Sequence, residues 1–171
     1  MRKIFIFCFL LLASFQLKAT HIMGGEITWE CIKDTTNPDH GKYIFTMKLY
    51  RDCDGTTLPT GTQTLFVWNH PSVTTISCNF VSATDISPDC DVLNSGNGAL
   101  DCISNPVGAV EEYIYVSAPI SLPGAPPVGA TPATNGWHFT WDSCCRNGAI
   151  SNLVLSSTTS PSEGFTLRAS M

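Results

Sequence analysis

The sequence predicts an all-β protein, an immunoglobulin-like antiparallel β-sandwich stapled by disulfides. Three observations predict it. Apolar and polar residues alternate in short runs along the chain after residue 20, and long helical periodicity is absent. Glycine-bearing turn pairs separate the runs. Cysteine is frequent, with eight in 171 residues, and the chain opens with an export-type leader.

The leader is Met1 to Ala19. A basic start, Met1-Arg2-Lys3, precedes Ile4 to Leu17, which is almost without polar side chains. That run is too short for a membrane span with ordinary flanks and suits a secretory signal peptide. Ala19 is small enough for a cleavage site. Residues 1–19 are therefore read as a signal peptide and 20–171 as one β-sandwich domain, secreted or on the outer cell surface. No later segment is apolar enough to cross a membrane as a helix. Loss of Arg2, Lys3 and Lys18 leaves six cations against 14 acids, a net charge of about −8. The remaining cations are scattered, which argues against a nucleic-acid partner.

Each strand has its own signal. Glu26 to Ile32 alternates, with Ile27, Trp29 and Cys31 on one face. Tyr43 to Arg51 follows with Tyr43, Phe45, Met47 and Leu49. Leu65 to Trp68 is apolar on both faces, which suggests a strand covered on both sides. Val73 to Phe80 is rich in Val, Thr and Ile. Glu112 to Ser117 sets Ile114 and Val116 against Tyr113 and Tyr115. Trp137, Phe139 and Trp141 form a core stripe, with His138, Thr140 and Asp142 expected on a polar outer face. Phe165, Leu167 and Ala169 complete the series. Asp54-Gly55, Asn97-Gly98, Asn135-Gly136 and Asn147-Gly148 mark turns. Short strands punctuated this way make a sandwich or barrel, and the sandwich is preferred. Pro119 to Pro132 is a loop or an extended edge. Ser87 to Asn105 is a long polar loop that needs a disulfide to order it.

Cys31, Cys53, Cys78, Cys90, Cys102, Cys144 and Cys145 follow the leader and are the disulfide candidates. Seven is odd, so three bridges would leave one thiol. The long loop is expected to close through Cys90 or Cys102, and Cys31 or Cys53 to tie the first strands. Cys144 and Cys145, adjacent on a strand, face opposite ways and would reach two different partners. The odd count and the alternating run at Phe165 to Met171 are read as marks of the N-terminal piece of a longer, multidomain protein.

No complete catalytic constellation emerges. Ile22-Met23-Gly24-Gly25 looks like a trypsin-type N-terminus, but the serine and histidine motifs of a triad are missing, so it is read as a flexible lead-in to the first strand. Asp52-Cys53-Asp54-Gly55 resembles a calcium loop but has Thr56 and Gln63 where further acids belong, so a turn is preferred. His21 would become N-terminal if cleavage fell after Thr20. With His40, His70 or His138 it would then make a copper site of nitrogen ligands, as in copper monooxygenases that cleave polysaccharides. Ala19 is the better cleavage residue. Asp52, Asp54 and His21 are thus weak metal candidates, and no catalytic residue, cofactor or firm metal site is assigned.

Three blocks carry a family resemblance. They are Ala19 to Cys31 (ATHIMGGEITWEC), Leu49 to Gly55 (LYRDCDG), and Trp141 to Asn147 (WDSCCRN) with Ile150 to Leu153 (ISNL). Together they resemble the N-terminal region of large secreted Bacteroidota proteins. That group often carries polycystic-kidney-disease-type or other immunoglobulin-like repeats and a gliding-motility-associated sorting domain for type nine secretion. Neither lies in these residues, so the resemblance implies them only for a longer parent. Asp34-Thr35-Thr36 resembles the short O-glycosylation signal of that phylum, and is otherwise a polar loop.

The function expected is that of a non-enzymatic secreted or cell-surface module. Its role would be structural or adhesive, capping a multidomain surface protein linked to gliding or attachment. A surface glycan or a protein ligand is the expected class of partner. A carbohydrate-binding module, with Trp29, Trp68, Trp137 and Trp141 as a sugar platform, is the alternative; a copper-brace polysaccharide oxidoreductase is the third reading.

Overall fold

A computed structural model describes residues 22–89, 98–143 and 165–171. They form seven strands: β1 (Ile22–Cys31), β2 (Tyr43–Asp52), β3 (Gln63–Trp68), β4 (Thr75–Asp85), β5 (Val110–Ser117), β6 (His138–Ser143) and β7 (Phe165–Ser170). Each strand expected from alternation is present. Every pairing is antiparallel, in the order β1-β2-β5-β4-β3-β6-β7. The first four neighbours and the last three are the two halves of an immunoglobulin-type sandwich. Here β4 also pairs with β3, so the halves are one continuous sheet folded on itself. Residues 1–21, which include the expected leader Met1 to Ala19 and also His21, lie outside the described residues.

The fold follows from which side of each strand is apolar. Phe45, Met47 and Leu49 of β2, Leu65 and Val67 of β3, and Tyr113 and Tyr115 of β5 all turn inward and are buried. Trp137, Phe139 and Trp141 face them, as the stripe predicts. Phe45 and Phe139 meet across the two halves with ring centroids 4.5 Å apart. Burial of such rings is the main force holding the halves together. Several polar ends of inward residues are satisfied, while Trp137 Nε1 has no partner. Tyr115 donates to Pro59 O at 2.8 Å, Trp141 Nε1 to Gln63 Oε1 at 3.1 Å, and Ser117 Oγ accepts from Phe45 N at 2.9 Å. Burial pushes the Tyr115 hydroxyl up to about 12.

Several sequence expectations are corrected. The lead-in Ile22 to Gly25 is already part of β1, and Ile22 is fully buried. Gly25 is there for a spatial reason: a Cβ would lie 2.5 Å from Lys48 O and 2.7 Å from Leu167 Cδ1. Only a glycine lets β1 sit this close to both β2 and β7. The strand β3 is not covered on both sides: Leu65 and Val67 are buried, while Phe66 is 44% and Trp68 54% exposed. His138 is not on an open polar face. It is only 4% exposed, hemmed between β3 and β7 through its pairing with Trp68 and Ser170.

The loops match their sequence roles. The segment after Pro119 runs as an extended edge, where Tyr43 and Ile120 exchange two backbone bonds of 2.9 Å. Gly136 adopts φ 82°, and a Cβ there would lie 2.5 Å from Met171 O, so glycine is required on both counts. Asp34-Thr35-Thr36 is an exposed turn between β1 and β2, with Thr36 donating from N and Oγ1 to Asp34 Oδ1. Asn147-Gly148 lies outside the described residues.

One disulfide is present among the described residues, Cys53–Cys102. It joins the end of β2 to the long loop, so Cys102 closes the loop as expected but does so through Cys53, which was expected to tie the first strands. Cys31 and Cys78, both candidates for bridges, are instead free thiols. The reason at Cys78 is its position. It lies on the inner face of β4, paired with Gln63 and Ser117, among packed apolar side chains. Cys90, Cys144 and Cys145 lie outside the described residues.

Candidate functional site

The block Leu49 to Gly55 turns out to be a structural knot. Arg51 is buried, and its Nε and Nη2 donate to Glu111 Oε2 at 2.8 and 2.7 Å. Its Nη1 donates to the carbonyls of Asp52, Cys53 and Gly55 at 3.0 to 3.4 Å. The guanidinium also lies 5.8 Å from the Tyr113 ring centroid. Asp52 Oδ1 accepts from Asp54 N at 3.0 Å, closing the turn. Arg51 thus shapes the turn that presents Cys53, which makes the calcium reading of Asp52 and Asp54 unnecessary. Among the described residues no group of three His, Cys, Asp or Glu side chains is placed to hold a metal ion.

The histidines proposed as copper partners are not gathered. His40 is exposed in the β1–β2 loop. His70 is buried, stacks on Trp137 at 4.7 Å, and its Nδ1 accepts from the backbone of Ser72 and Val73. His138 Nδ1 bonds Ser170 Oγ at 2.8 Å. The four tryptophans also divide. Trp137 and Trp141 are core, Trp29 is partly open beside Phe139, and Trp68 stands outside. A coplanar platform of all four does not exist.

What the structure does assemble lies on the outer face of β3, β6 and β7. A groove of about 370 Å³ is lined by Trp68, Asn69, Ala133, His138, Thr140, Asp142, Thr166 and Arg168. Cross-strand pairing brings them together, since Trp68 pairs with His138, Thr140 with Arg168, and Asp142 with Thr166. Trp68 Nε1 donates to Thr140 Oγ1 at 2.9 Å, which lays the indole along the sheet. Thr166 Oγ1 donates to Asp142 Oδ1 at 2.7 Å. Arg168 Nη2 donates to Pro132 O at 3.2 Å. Asn69 holds φ 66° and donates to Ala133 O and Gly136 O, pinning the loop that walls the groove. A second hollow of about 640 Å³ runs past Trp29, Cys31 and Tyr43.

The groove was only half legible in the sequence. Trp68 was singled out for a covered strand and for a four-tryptophan sugar platform, and His138, Thr140 and Asp142 for a polar face. Thr166 and Arg168 were missed, because only register across two strands places them beside Trp68. Size and lining suit a small ligand held by one aromatic face and a few directed polar groups. The fold and groove together define an immunoglobulin-like β-sandwich with an outward-facing groove. Comparison with protein-family models, curated proteins and solved structures finds no match for this chain.

Proposed function

We propose that this chain is a non-enzymatic, exported β-sandwich module that acts by adhesion, as the N-terminal cap of a larger surface protein. The groove around Trp68 is the observation that carries this reading. It leaves a large aromatic side chain, 54% exposed, on the outer face of a sheet whose inner face is fully packed. Exposed apolar surface rimmed by polar groups is the usual mark of a binding site. The Cys53–Cys102 bridge supports an oxidising compartment, in keeping with the Met1 to Ala19 leader. The link to gliding, attachment and type nine secretion rests on the resemblance of the three sequence blocks.

The test follows the chain from synthesis to surface. Expressed with its leader, the protein is expected to be cleaved near Ala19 and recovered outside the cytoplasm. Beads coated with the processed protein are expected to attach to biological surfaces more than uncoated beads do. An unprocessed, membrane-anchored main product, or beads that never attach, would reject the proposal.

A further inference from the structure

We propose that the groove on β3, β6 and β7 is a saccharide subsite that takes one neutral pyranose ring stacked on Trp68. The inference deepens the adhesive reading above and rests on it. The polar edge of the indole is already tied to Thr140, so its orientation is set and its ring face is what it offers a ligand. The C–H face of a pyranose is apolar and flat enough to cover such a ring, and Trp is the best aromatic for this role.

The remaining lining groups match hydroxyls. One oxygen of Asp142 is engaged by Thr166, and among the described residues the other accepts no bond. One arm of Arg168 is engaged by Pro132 O, and its other N–H groups remain to donate. A carboxylate that accepts from O–H and a guanidinium that donates to oxygen together read vicinal hydroxyls. Their opposite charges cancel locally, which disfavours an anionic or cationic ligand.

A second, independent observation points the same way. His138 lines the groove, is 4% exposed, and its Nε2 has no hydrogen-bond partner. Buried polar atoms in native proteins are nearly always paired, so this nitrogen, like His70 Nε2 and Trp137 Nε1, calls for a partner that the described residues do not supply. The nitrogen lies just beneath the groove surface, so a small shift of the lining on binding would bring a ligand hydroxyl, or a water carried with it, to it. The volume of about 370 Å³ suits a ring with its substituents. A proline-rich peptide also stacks on tryptophan, but such segments dock in grooves lined by aromatics, and here Trp68 is the lone large aromatic.

The native oxidised protein can be probed with an array of neutral oligosaccharides, acidic oligosaccharides and proline-rich peptides, followed by titration calorimetry on the best binder. Binding to a neutral oligosaccharide is expected. Trp68→Ala and Asp142→Ala are each expected to weaken it about tenfold or more, with the melting temperature of Asp142→Ala unchanged. Val81→Ala, on the outer side of β4 away from the groove, is expected to bind as the native protein does. Three results would overturn the proposal: no neutral glycan bound, native-strength binding by both groove variants, or binding confined to acidic glycans or peptides. Coated beads that attach while no glycan binds would sink the saccharide subsite and leave the adhesive module standing. Beads that also fail to attach would sink both.

Discussion

Trp141 turns its ring into the sandwich while its Nε1 donates to Gln63 Oε1. Replacing it with alanine removes a large buried aromatic and strands that acceptor. A loss of about 3 to 5 kcal/mol in chemical denaturation is expected, a large part of an ordinary domain's stability. A loss below about 1 kcal/mol would show that the site collapses around the gap or was never packed. Cys78 gives a second test at this scale. Burial pushes its thiol up to about 11, and the thiolate is the reactive form. In the native protein Cys78 is expected to resist alkylation, while the half-buried Cys31 at the end of β1 reacts. Peptide mapping of the labelled protein reads both; rapid labelling of native Cys78 would contradict its place in the core.

Among the elements, the long loop between β4 and β5 is held by a disulfide and by side-chain hydrogen bonds at its described residues. The Cys53–Cys102 bridge spans a sequence separation of 49. Chain entropy for a loop of that length predicts that Cys53→Ala with Cys102→Ala costs about 4 kcal/mol. Thermal and urea melts of the double variant check this. Two carboxylates hold the same loop. Asp85 accepts from Ser87 Oγ and from the backbone of Cys102 and Ser87, and these bonds keep its carboxyl below the ordinary range. Asp101 is lowered in the same way, first by Ser104 Oγ and then by the backbone of Ser104 and Ile103. Both groups bind a proton less readily folded than unfolded. Their stabilisation is therefore complete above the ordinary carboxylate value of about 4 and is lost as pH falls through the lower folded values. Amide exchange at Cys102, Ile103 and Ser104, corrected for intrinsic rates, should accelerate there before exchange in β2 does. Equal protection across the range would refute it.

The whole molecule is a sheet closed over an aromatic core, with β1 against β7 where Gly25 meets Leu167. That closure depends on pairings distant in sequence, such as Phe45 with Phe139. The protein is therefore expected to lose stability when reduced without losing its β-sheet, since the bridge lies outside the packed core. Circular dichroism melts with and without reductant test this. Reductant that abolishes the far-ultraviolet β signal at room temperature would show that the core alone is insufficient.

Period-two alternation is a local property, so all seven strands and the Trp137-Phe139-Trp141 stripe were legible from the residues alone. So were the turn at Asp52 to Gly55 and the use of Cys102 to close the long loop, though not its pairing with Cys53. What alternation does not carry is which outer face stays open. Phe66 and Trp68 read as covered because both faces of β3 are apolar, yet Phe66 is 44% and Trp68 54% exposed. His138 read as exposed because it alternates with core residues, yet Trp68, Ser170 and the loop ending at Gly136 close over it. Arg168 and Thr166 join Trp68 and Asp142 only through the β3-β6-β7 register. Sequence by itself determined the strands and their inward faces, because a side chain's face follows from its neighbours one and two residues away. The groove was decided by tertiary structure, because it is made by residues about 25 to 100 positions apart that meet only when the sheet is assembled.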